Sequence, residues 1–234
     1  NPRLILLPHN TSLTFAGGVG DPSAVLSGEY LYLFYGEYGY PGIYDEYSYD
    51  RDTERKGQCI SVARIHVSDL DNPVGKAKRW DGDSFSAPHN GIGAPVISLQ
   101  IDTAEGGGAA SSPGGGFHWG PTVSWNTYLN CWVMLMGHVT GQSWAGNEIY
   151  ISFNPYKNLG EGDHSQMWSK PKILLKKEGY FLWYPSLQPA DTKEDIENRY
   201  TSLRLGQKAR LFVKYLKPYN DRYMSEYVIE FTKP

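Results

Sequence analysis

Along most of the chain, apolar and polar residues alternate with a period of two or gather into short apolar runs, and each stretch is cut off by Gly, Pro or Asn. Residues 29–35 (Glu-Tyr-Leu-Tyr-Leu-Phe-Tyr), 131–136, 148–152, 209–215 and 226–231 are short and rich in β-branched and aromatic residues, which predicts strands. Helical spacing is scarce. The stretch Asp191 to Arg204, where Thr192 precedes a charged run closing at Gly206, has almost no apolar stripe and predicts a solvated loop or a short surface helix. The pattern as a whole predicts an all-β chain.

An internal repeat sharpens this reading. A Pro-Ser/Thr pair opens three segments, Asp21-Pro22-Ser23-Ala24-Val25, Gly120-Pro121-Thr122-Val123-Ser124 and Tyr184-Pro185-Ser186-Leu187. Each leads into an aromatic-rich strand near Leu31, Cys131 or Leu211, and then a third strand near Ile60, Ile149 or Tyr227. Trp168 to Lys172 closes the second unit, and Lys78-Arg79-Trp80 is its counterpart in the first. Four short strands per unit, repeated about an axis, is how a β-propeller of four-stranded antiparallel blades reads in sequence. Proline at the start of an innermost strand costs no ladder hydrogen bond. At roughly 60 residues per blade, the chain predicts about four blades in one domain, residues 1–234.

Composition removes several classes. Among 234 residues, 14% are aromatic, with 26 Gly and 15 Pro, too aromatic for disorder and too turn-rich for a helical bundle. A net charge of −3 without a basic cluster gives no footprint for nucleic acid, and no apolar run reaches membrane-spanning length. The chain opens at Asn1-Pro2 with no visible signal segment. Cys59 and Cys131 lie in apolar runs and read as buried free thiols. No His/Asp/Glu set has zinc spacing, and no Gly-x-Ser-x-Gly motif is present. The glycine-rich stretch 106–116 opens no helix and reads as a connection. The stretch 38–49 places Tyr38, Tyr40, Tyr44, Tyr47 and Tyr49 around Asp45 and Glu46, either a sugar-stacking wall or core packing.

Asp21-Pro22-Ser23-Ala24-Val25 followed by Gly28 to Tyr35 resembles the first catalytic blade of the five-bladed β-propeller glycoside hydrolases, the arabinofuranosidase and β-xylosidase group. His118 to Trp125 and Trp183 to Leu187 resemble the inner strands of two further blades, and Ser61 to Arg64 a third strand. The resemblance implies a five-bladed type of propeller, incomplete in this chain, with an N-terminal blade missing or one blade partial. It implies acid/base hydrolysis of glycosides derived from plant or microbial polysaccharides, a secreted or periplasmic location, and an oligosaccharide or polysaccharide as partner. It allows a structural or axial calcium ion; no other cofactor is implied.

Such hydrolases set three carboxylates around the axis, whereas the three blade starts here carry Asp21, Gly120 and Tyr184. Asp21 is therefore the candidate base. Glu37, after the first aromatic strand, and Glu148, at the head of another, are candidate acids, with Glu46 weaker. An inverting pair stands roughly 6.5–9.5 Å apart, leaving room for water. His118, Trp119, Trp183 and Tyr184 precede or open blades and are candidate substrate contacts, joined by Tyr40 and Tyr44. Packing between blades is the alternative for the two tryptophans. A non-catalytic propeller that binds glycans or proteins with its aromatic rim is the competing reading, separated from the enzyme by the number of carboxylates at the axis.

Overall fold

The computed structural model describes residues 5–8, 19–37, 59–97, 118–138, 146–160, 166, 168–217 and 221–233. Among these residues the chain folds into three β-sheets. The first runs β1 (Val19–Ser27), β2 (Tyr30–Glu37), β3 (Cys59–His66), β4 (Lys78–Arg79) and β5 (Ala87–Pro88), each antiparallel to the next. The second runs β6 (His118–Asn126), β7 (Cys131–His138), β8 (Glu148–Asn154) and β9 (Lys172–Lys176). The third holds β10 (Phe181–Pro189), β12 (Lys208–Leu216) and β13 (Arg222–Glu230). Strands β4 and β9 are the fourth strands that Lys78-Arg79 and Lys172 predict, with β5 added outside β4. The described residues form three blades.

The sheets stack face to face, with β6 packed against both β1 and β10. Strand β7 explains the stacking physically. Successive side chains of a strand point to opposite faces. Trp132, Met134 and Met136 enter one core with Val25, Phe34, Ile60 and Val62 of the first sheet. Val133 and Leu135 enter another with Leu187, Leu211 and Val213 of the third. A strand covered on both faces needs an unbroken apolar run, and Cys131 to Met136 is that run. Strand β12 alternates instead, with Ala209, Leu211, Val213 and Tyr215 buried and the intervening residues more exposed. This is an arc of consecutive propeller blades with their first strands innermost.

The third blade is stitched to the second by the Asp191 to Arg204 segment, where the short surface helix that the sequence allows does form. Thr192 caps a short helix, α1 (Lys193–Glu197), accepting from the Asp195 amide at 3.1 Å while Asp195 accepts from the Thr192 amide at 2.9 Å. The chain then returns as β11 (Arg204–Leu205), which lies parallel to the inner edge of β6. The Trp125 amide donates to the Leu203 carbonyl at 2.9 Å, and the Thr127 amide to Leu205 at 2.8 Å. Ser124 Oγ donates to the Ser202 carbonyl at 2.6 Å, and Asn126 Nδ2 to Gly206 at 2.9 Å. Cys59 and Cys131 are both free and buried, as their apolar flanks predict.

Candidate functional site

The three Pro-Ser/Thr starts share one backbone device. Asp21, Gly120 and Tyr184, each immediately before its proline, adopt positive φ of 48°, 57° and 53°. Each lies where the pairing of its strand slips, between Gly20 and Ser23, between Trp119 and Thr122, and between Trp183 and Ser186. A bulge bends the strand and re-aims the side chain at the kink. Left-handed backbone is costly for a bulky residue such as Tyr184 and comes freely only to Gly120. Strain of this kind, on the order of 1–3 kcal/mol, persists where the surrounding structure enforces it.

Hydrogen bonds draw the three starts together. The Val123 amide donates to Ser23 Oγ at 3.0 Å, and Thr122 Oγ1 donates to the Pro185 carbonyl at 2.6 Å. Partial burial, and after it the nearby Asp21 charge, raises the Tyr184 phenol pKa. The Trp119 ring meets Trp183 edge-on at 5.7 Å and Tyr184 at 5.3 Å. The Lys214 ammonium, from β12, stands 5.4 Å from both the Trp183 and Tyr184 ring centres. One carboxylate, two partly exposed rings and one cation therefore share the mouth of the arc.

Trp119 is not one of the exposed rings. It is 3% exposed, and a Cβ on Gly137 would stand 2.8 Å from its Nε1, so the indole lies flat on the β7 backbone. Packing is its role, whereas Tyr184, 45% exposed, and Trp183 offer surface. Trp119→Ala is expected to cost about 3–5 kcal/mol in chemical denaturation, the range for removing a buried indole. Trp183→Ala, at a partly exposed ring, should cost only about 1 kcal/mol in the same measurement.

The two candidate acids are engaged elsewhere. Glu37 and Arg79 are both fully buried, with Arg79 Nη1 donating to Glu37 Oε2 at 2.9 Å. Arg79 also donates to the Tyr35 hydroxyl at 3.2 Å and to the carbonyls of Leu7 and His89. The Gly93 amide approaches the same Glu37 oxygen at 3.4 Å. Burial and the neighbouring Glu37 charge raise the Tyr35 phenol and the Cys59 thiol. This network fastens the sheet; its carboxylate has no exposed surface from which to meet a substrate.

Glu148 belongs to a second cluster. His138 Nδ1 lies 3.3 Å from Glu148 Oε2, the Tyr150 hydroxyl donates to the same oxygen at 2.8 Å, and Lys176 Nζ reaches Oε1 at 3.1 Å. His118, buried on β6 opposite His138, packs its ring 5.4 Å from His138 and 5.0 Å from Tyr150. The His138 bond above all, with Tyr150 and Lys176, outweighs burial and lowers the Glu148 pKa to about 2. A general acid at neutral pH needs the opposite shift. A depressed carboxylate stabilises the fold fully above its ordinary pKa of 4.5 and loses that contribution as pH falls towards 2. Glu148→Gln should therefore flatten the acid limb of a stability–pH profile between those values, measured by denaturant midpoints. Asp81, held low by the Ser86 hydroxyl and the Ser84 and Asp83 amides, titrates in the same acid range, so the variant must be compared with wild type.

Tyr40, Tyr44, Tyr38 and Glu46 lie outside the described residues, as does the glycine-rich stretch 106–116. Among the described residues, no group of three or more His, Cys, Asp or Glu is placed to hold a metal ion, so the calcium that the family resemblance allows finds no such donor set there. No helix among them is long and apolar enough to cross a membrane.

No family model and no curated protein matches the chain. Solved structures do. An α-L-arabinofuranosidase from Podospora anserina in complex with cellotriose is similar at a TM-score of 0.49 and 13% identity, over 97% of this chain and 51% of that one. The catalytic domain of a Coprinopsis cinerea α-L-arabinofuranosidase is similar at 0.48 and 11%, over 97% and 50%. An exo-β-1,3-galactanase from Phanerochaete chrysosporium, with β-1,3-galactotriose, is similar at 0.38 and 12%, over 90% and 38%. The chain spans about half the length of the arabinofuranosidase structures it resembles. These are glycoside hydrolases of the propeller type that the Asp21-Pro22 and His118 to Trp125 motifs resemble.

Proposed function

We propose that this chain supplies one side of a saccharide site in a carbohydrate-active propeller, with Asp21 as the base of glycoside hydrolysis. The observation that carries the reading is the convergence of the three proline-led starts, which brings the Asp21 charge within reach of Tyr184, whose ring lies 6.0 Å from that of Trp183. A tyrosine and a tryptophan offer flat apolar faces with polar tips, the combination that stacks on a sugar ring and hydrogen-bonds its hydroxyls. The Lys214 ammonium over both rings adds a donor at the same mouth. A base needs an ionised carboxylate held at the water it activates, and the bulge and the following proline fix where Asp21 points.

The binding-module reading draws on a specific observation of its own. Glu37 is tied to Arg79 and Glu148 is held ionised by His138, Tyr150 and Lys176, which leaves neither suited to protonate a leaving group. Turnover of aryl arabinofuranosides, xylosides and galactosides by the full chain separates the two. Hydrolysis that depends on Asp21 supports the enzyme; binding of neutral oligosaccharides without turnover supports the module.

A further inference from the structure

We propose a second carbohydrate site on the opposite end of the inner strands from Asp21, one that takes an acidic, uronate-bearing oligosaccharide. A cleft of about 1080 Å³ opens there between the ends of β1 and β6, at the upper end of the ~300–1000 Å³ usual for small-ligand sites. Its described lining includes Trp125 and Tyr156 as aromatic surfaces, Leu26 and Leu203 as exposed apolar edges, and Lys157 and Arg204 as cations. No Asp or Glu is among those lining residues. Neither Lys157 nor Arg204 joins an ion pair among the described residues, although Arg204 lies 5.8 Å from the Tyr200 ring centre.

Four separate segments build the cleft, and hydrogen bonds hold each in place. Ser27 Oγ donates to the Lys157 carbonyl at 3.3 Å and accepts from the Leu159 amide at 3.1 Å. Trp132 Nε1 donates to the same Lys157 carbonyl at 3.1 Å, fixing that residue from both sheets. The Trp125 amide donates to Leu203, and Arg204 stands opposite Trp125 in the parallel β11 pairing. Trp125 is further braced edge-on against Trp132 at 5.2 Å. A site held this way loses little conformational freedom on binding.

The chemistry of the lining selects the ligand. Aromatic faces stack on the C–H-rich face of a pyranose, and two cations without a neighbouring acid favour a carboxylate on that ring. A neutral sugar would leave both cations unused, and an acidic peptide would lack the flat apolar face. The site needs no catalysis at Asp21, so its failure and that of the hydrolase reading are separable.

The test is calorimetric titration of the full chain with trigalacturonate, xylotriose and a short glutamate oligomer. Trigalacturonate should bind at least about tenfold more tightly than xylotriose at low salt, and lose most of that advantage in about 0.5 M NaCl. The Lys157→Gln/Arg204→Gln double variant should lose the preference, with an unchanged melting midpoint because both side chains are on the surface. Asp21→Asn should slow hydrolysis by about 10²–10⁴ and leave trigalacturonate binding unchanged. Equal affinity for the acidic and neutral trisaccharides, or undiminished trigalacturonate binding by the double variant, would overturn the proposal. So would a glutamate oligomer that binds as tightly, or no binding of trigalacturonate at all.

Discussion

Under the hydrolysis proposed above, Asp21→Asn is expected to lower kcat by about 10²–10⁴, the usual cost of removing a general acid–base group, while leaving the denaturation midpoint close to wild type. The choice of asparagine matters. Position 21 has φ of 48°, and among non-glycine residues Asn and Asp tolerate this region best. Asn therefore keeps the bulge, the kink and the side-chain shape and deletes only the proton acceptor. Alanine would confound the result by adding backbone strain. Tyr184→Phe serves as the companion, since it keeps the ring against Trp119 and Trp183 but removes the hydroxyl near Asp21. A loss of turnover in Asp21→Asn with oligosaccharide binding retained identifies the base. Equal turnover by both proteins removes Asp21 from the chemistry.

Arg79→Met is expected to destabilise the protein by about 3–5 kcal/mol, because it strands a carboxylate with no access to water. For a domain of this size that is a fall in Tm on the order of 10 °C. The loss reaches beyond the pair, since Arg79 also serves the Leu7 and His89 carbonyls and the Tyr35 hydroxyl. Glu37→Gln should be milder, and the Arg79→Met/Glu37→Gln double variant should recover part of the single loss. The interaction energy from that cycle, by urea denaturation, measures the pair itself. Additive losses would show that Arg79 acts through the carbonyls and the Tyr35 hydroxyl rather than through Glu37.

The elements with strong periodicity were legible because their burial is regular. Cys131 to Met136 is apolar throughout since β7 is covered on both faces, and residues 209–215 alternate since β12 is covered on one. The Pro-Ser/Thr repeat was legible as three blade starts. Their common positive φ was not, because only Gly120 advertises it; Asp21 and Tyr184 are held there by the sheet. Strand β11 escapes notice because two residues carry no period, and their partner on β6 lies about 80 residues earlier. The fates of Glu37 and Glu148 turn on pairing across the chain. The 42-residue reach from Arg79 to Glu37 has no local signature. The approach of His138 to Glu148 follows from the β7–β8 pairing alone, once its register is known.

The order in which the chain leaves the ribosome interacts with the stitch between the second and third blades. Strands β6 to β9 are complete once residue 176 has emerged, yet the inner edge of β6 meets its partner only when residues 202–206 follow. During that interval the nascent sheet carries bare amide and carbonyl groups along one edge, a template for pairing with any neighbouring extended chain. The same exposure returns in any product that lacks residues 202–206. Proteolytic loss of the chain from this stitch onward would leave the second sheet open to edge-to-edge assembly, and would also strip from Val133 and Leu135 the core they share with Leu211 and Val213.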